Sequence, residues 1–207
     1  MAAPQCNQSL HFFGKINASI SHELKNVFAI MNENAGLLED LILMQSKGLE
    51  LTPEKLHYIA SKVQNQVQRG NTLLNGMNAF AHSADHPETA VKPIEVIQLM
   101  IQLCGRFANM KECTLQTGTI DANPFMTSQF YLEHALYKLI EVALNNASAG
   151  TALTIDAIQD GTTITFNIRG LADTGLFSPD EELTALLQNL NAEATAKADA
   201  LSLRLMS

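Results

Sequence analysis

Within Ser21-His22-Glu23-Leu24-Lys25-Asn26 an imidazole, a carboxylate and a carboxamide fall close together on one stretch of chain. A neutral imidazole is a nucleophile near pH 7, and it works best when one ring nitrogen is held so that the other keeps its lone pair free. In a helix, Glu23 would be placed to hold the ring, and Asn26, one turn on, to orient a water. His22, Glu23 and Asn26 are therefore the candidate catalytic residues. At about 100° per residue, His22 shares a face with Ala18, Ser19, Asn26 and Ala29, small or polar residues that predict a low, exposed surface suited to another protein. Partner contacts are expected from Ser19, Lys25 and Ala29, with Lys15 nearby.

Other groups that could do chemistry carry less. His-Glu-x-x-Asn departs from the zinc helix motif His-Glu-x-x-His at Asn26, a poor zinc ligand. His82 and His86 are four apart, but Pro87 breaks the helix there and no third ligand is evident. Cys6, Cys104 and Cys113 show no Cys-x-x-Cys spacing and read as small core residues of a reducing compartment. No metal site is expected.

The elements that must carry His22 are long. Phe13, Ile16, Ile20, Leu24, Val27, Ile30, Met31, Leu38 and Leu41 recur at steps of three and four, which predicts a helix from about Gln8 to Lys47, stopped by Gly48. Thr52 and Pro53 open a second helix, whose stripe of Leu56, Ile59, Val63, Val67, Leu73, Leu74, Met77 and Phe80 runs to about His82. Two helices leave much of each apolar face wet, so the hairpin is expected to pair with a second copy in a four-helix bundle, a homodimer. The polar, proline-bearing stretch 85–93 reads as a linker.

Past the linker, helices are predicted over Ile94–Met110 and Ser128–Ala149, with a short strand at Thr114–Thr117. Strands Leu153–Ile158 and Thr163–Ile168 flank a hairpin-turn signal at Asp160-Gly161. Ser178-Pro179-Asp180-Glu181 announces a further helix, Asn191–Asp199 is alanine-rich and helix-prone, and the alternation Leu201, Leu203, Leu205 closes the chain. The fold class is α+β, with domains at 1–84 and 94–207.

With 207 residues, 46% of them hydrophobic, the chain can build a real core. Its 13 basic against 21 acidic residues give a net charge of −8, which disfavours nucleic acid and anionic membranes as partners. No apolar run has membrane-spanning length, and the start of the chain lacks the pattern of a secretion signal, so a cytoplasmic location is expected.

A helical hairpin with Ser-His-Glu-x-x-Asn early in its first helix, a short linker and then an α/β sandwich resembles the dimerisation and ATPase-type catalytic halves of two-component sensor histidine kinases. The resemblance spans nearly the whole chain and is most specific at Ser21–Asn26. It implies that His22 is a phosphoacceptor, that Glu23 is the acid/base and orienter, and that Asn26 assists dephosphorylation of a partner. The second half departs from the family pattern. Leu144-Asn145-Asn146-Ala147 looks like the asparagine box, but Val142 stands where one magnesium-holding asparagine belongs and Ala149 replaces a lysine. Gly170 occupies the place of the adenine-reading aspartate, with Asp173 an imperfect substitute in Arg169–Leu176. After Gly175 there is no glycine at all, although a lid that lets backbone approach phosphate needs them.

The implied activity is that of a histidine phosphotransferase: His22 would carry a phosphoryl group to or from response-regulator receiver domains, which bring their own aspartate and magnesium, with no ATP or other cofactor stably bound. Two other readings use the same residues. One is a non-catalytic dimer that captures a regulator or inhibits a kinase, for which His22→Ala would be silent. The other is an ATP-dependent kinase or a regulator phosphatase, with Asn146 and Asp173 as remnants of the nucleotide site.

Overall fold

The computed structural model describes residues 3–48, 50–174, 177–197 and 199–206, with side chains from Asn7 onward. Gly175 and Leu176, the end of the segment read as a degenerate glycine box, lie outside the described residues, as does the Cys6 side chain. The chain divides into two compact units, 17–78 and the combination of 1–16 with 79–207.

The unit of residues 17–78 is a helical hairpin. Helix α1 runs over Ala3–Ser46 and α2 over Pro53–His82, close to the predicted spans. Gly48, at φ +90°, takes the left-handed conformation that ends α1. Ile20, Val27 and Ile59 are buried. Gly70 of α2 faces Val27 of α1, whose Cγ1 would lie 3.4 Å from a Cβ at position 70.

In the larger unit, α3 (Pro93–Met110), α4 (Gln129–Asn146) and α5 (Glu181–Leu190) cover one face of a five-stranded sheet. The strands are β2 (Thr114–Asp121), β4 (Ala152–Asp160), β5 (Thr163–Arg169), β6 (Ala192–Lys197) and β7 (Ala200–Leu205), in the order β2-β4-β5-β7-β6. β2 and β4 are parallel, with α4 as their crossover, and the other pairs are antiparallel. Register lines up Ile155 with Ile168 and then Leu201, and Ala157 with Phe166 and then Leu203. All six are buried, so the period-two pattern of each strand merges into one apolar face.

Phe12, outside the predicted stripe, is the buried aromatic of α1, and Phe13 is only half-buried. The Phe12 ring stacks on the His134 imidazole of α4 at 4.1 Å and meets Phe80 edge-on at 5.3 Å.

Four local expectations are revised. The stretch 85–93 contains strand β1 (Thr89–Val91), which pairs with β3 (Phe125–Thr127). The β4–β5 turn falls at Gly161-Thr162, one residue late, because Asp160 already pairs with Thr163. Helix α5 starts two residues after the predicted proline position, capped by Asp180, whose Oδ1 accepts from Leu183 N–H at 2.8 Å. Finally, the helix-prone stretch 191–199 contains edge strand β6. Asn191, at φ +47°, terminates α5, and pairing with β7 then overrides alanine's helix propensity.

Candidate functional site

His22 lies on the exposed side of α1, and Lys25, Asn26, Ala18 and Ala29 are exposed with it. Ser19, expected on the same open surface, is instead buried at 3% exposure. The approachable strip beside His22 therefore runs through Ala18, Asn26 and Ala29, and Ser19 faces inward because it follows the buried line of Ile16 and Ile20.

The ring has one partner of its own helix turn. The Asn26 carboxamide nitrogen lies 3.4 Å from His22 Nδ1. In that orientation the amide donates to Nδ1 and the ring proton sits on Nε2. Turning the amide over presents Oδ1, which accepts from Nδ1–H and leaves the Nε2 lone pair free for attack. The amide orientation of Asn26 and the tautomer of the His22 ring are thus linked.

Glu23 does not hold the ring as its spacing suggested. Its carboxylate pairs with the Arg69 guanidinium of α2. Sequence reasoning missed Arg69 because the pair joins residues 46 apart, and the register of a helical hairpin is not written in either helix alone. The adjacent Gly70, small enough for close helix approach, was the available signal.

In the larger unit, the segments matched to the nucleotide-site boxes have structural partners. Asn146 Nδ2 donates to the Val142 carbonyl at 2.8 Å, a bond within α4. Gly170 has φ +103°, and a Cβ there would lie 2.5 Å from the Ala152 carbonyl oxygen. Lys138 of α4 binds Asp180 at 2.8 Å and Glu182 at 2.9 Å, and His134 Nε2 lies 3.0 Å from Glu182 Oε1. These bonds clamp α5 to α4. Burial lowers the His134 imidazole to about 4, against the pull of Glu182. Burial raises the neighbouring Glu133 carboxyl to about 7, against hydrogen bonds from Ser83 and Gln129.

His82 pairs with Asp85, Nδ1 to Oδ2 at 2.7 Å, rather than with His86. Among the described residues no cluster of three or more His, Cys, Asp or Glu could hold a metal, and no helix is long and apolar enough to cross a membrane. Cys104 and Cys113 are buried free thiols.

No family model matches the chain, and no curated protein matches it. Solved structures do. The chain is similar to the Acinetobacter baumannii histidine kinase AdeS at 14% identity and TM-score 0.47, over 89% of this chain and 96% of that one. It is similar to a bacterial phosphotransferase at 9% identity and TM-score 0.49, over 94% and 95%. A third is the histidine kinase ThkA, in complex with the response regulator TrrA, at 13% identity and TM-score 0.44, over 95% and 62%. The succession of helical hairpin and α/β sandwich is the α+β architecture that the sequence led one to expect.

Proposed function

We propose that the protein is a histidine phosphotransferase of two-component signalling, which passes a phosphoryl group between response-regulator receiver domains through His22. The observation that carries the reading is an exposed imidazole on a helical hairpin whose Nδ1 faces Asn26 at 3.4 Å. In the transfer, the Nε2 lone pair attacks the phosphorus of a receiver aspartyl phosphate. The N–P bond forms as the P–O bond to aspartate breaks and the aspartate leaves as carboxylate; with the Asn26 amide turned over from the orientation described above, Oδ1 accepts from Nδ1–H and that proton stays on the ring. Magnesium belongs to the receiver. Lys25 and Ala29 border the ring as partner contacts.

Three features support a sandwich that does not use ATP. An aspartate at position 170 would drive its Cβ into the Ala152 carbonyl, Asn146 is engaged within its own helix, and α5 is tied down onto α4 by Lys138. The unit of residues 17–78 also leaves Phe28, Leu37, Ile42 and Leu43 of α1 and Val67 and Leu74 of α2 exposed. So large an apolar surface is what a second copy would cover in a four-helix bundle.

The test separates the two sources of phosphate. Incubated with magnesium and labelled ATP alone, the protein should take up no label; mixed with a phosphorylated receiver domain, it should gain acid-labile, base-stable label that His22→Ala loses. Label from ATP alone would identify a kinase, and unlabelled protein that still binds the receiver would identify a docking module.

A further inference from the structure

The Glu23–Arg69 ion pair sits beside the phosphoacceptor, where its strength matters less than its location. The Arg69 side chain is 45% exposed and that of Glu23 18%, and an ion pair this open adds little stability. Arg69 adjoins Gly70, which packs against Val27, and Val27 lies one helical turn beyond Glu23. The Gly70–Val27 contact thus lies next to the Arg69–Glu23 pair along the same two helices.

We propose that Arg69 is a positioning residue of the phosphoacceptor site, holding the Glu23 carboxylate on α2 and so leaving the His22 ring to Asn26. The inference rests on the reading of His22 as phosphoacceptor. A carboxylate without Arg69 would do two kinds of harm next to the ring. Its negative charge would oppose an incoming phosphoryl group and the acidic pocket of a receiver. It would also compete with Asn26 for the ring proton, so that the tautomer with a free Nε2 lone pair would no longer be selected by one partner. Arg69 removes both effects by neutralising and holding the same group.

The test uses the full chain as wild type, Arg69→Ala, Arg69→Lys and the double variant Arg69→Ala with Glu23→Gln. Transfer from a phosphorylated receiver is followed together with the nitrogen NMR spectrum of the His22 ring. In Arg69→Ala, kcat should fall roughly tenfold to a hundredfold while KM for the receiver changes little, the scale of a misplaced catalytic geometry. Arg69→Lys should keep most of the rate. The double variant should recover it, because no charge remains to be held, and the ring spectrum should shift in Arg69→Ala and return in the double variant. A wild-type rate in Arg69→Ala, or a double variant as slow as the single one, would overturn the proposal. If wild type takes no label, the phosphoacceptor reading fails, and the ring spectrum alone decides: a ring unmoved by Arg69→Ala rejects positioning.

Discussion

At the scale of single residues the account turns on side chains whose neighbours set their protonation. Asn26 is the ring's partner at 3.4 Å, so Asn26→Ala should slow receiver-to-His22 transfer about tenfold or more while His22 remains the labelled residue; stopped-flow transfer assays would read this. Glu133 gives a pH prediction with a definite sign. Buried, it keeps its proton up to about 7 instead of the ordinary 4.5, so its contribution to stability is full below pH 4.5 and is lost as pH rises through 7. His134 acts oppositely: held neutral down to about 4 instead of 6.5, it contributes fully above pH 6.5 and loses that contribution as pH falls toward 4. The two nearly offset each other between 4.5 and 6.5. Glu133→Gln carries no charge to desolvate, so urea melts should show it gaining on wild type as pH rises from 4.5 to 7; a constant difference would mean that Glu133 is not held protonated. The His22–Asn26 contact was legible in the sequence because the two residues sit about one turn apart on one helix. Arg69 was not, because its pairing with Glu23 depends on how two helices meet.

At the scale of elements, β2 carries a bulge between Thr117 and Ile120. There Asp156 of β4, 1% exposed, accepts from Thr119 N–H at 2.7 Å and pairs with Arg169 of β5. Gly118 makes room for that carboxylate: a Cβ would come within 2.1 Å of Asp156 Oδ1. Gly118→Ala should therefore cost about 1–3 kcal/mol, measured by chemical denaturation, as the bulge is forced open. The helices and the central strands could be read from periodicity: α3 buries Val96, Met100 and Leu103, β4 buries Leu153, Ile155 and Ala157, and β5 buries Ile164, Phe166 and Ile168. Strand β6 could not, because Ala-Glu-Ala-Thr-Ala-Lys has little side chain to bury and becomes a strand through backbone pairing to β7. Strands β1 and β3 are three residues each, too short to show any period.

For the whole molecule, the helical hairpin carries His22 and the α/β sandwich follows it in the chain, and the proposed division of work puts phosphoryl transfer on the first without nucleotide chemistry in the second. Phe28 is 63% exposed on α1, and Phe28→Glu should turn the proposed dimer into a monomer by light scattering while helical content is kept. A wild-type protein of one-chain mass at micromolar concentration would contradict the bundle. The claim on which the rest depends is that His22 itself carries the phosphoryl group. Rapid-quench mixing of the protein with a phosphorylated receiver, followed by phosphorus NMR of the product, tests it directly. Phosphoryl transfer through His22 should give an N–P resonance that appears as the aspartyl phosphate disappears and is missing in His22→Ala; loss of the aspartyl phosphate to inorganic phosphate alone, or an equal N–P signal in His22→Ala, would contradict it.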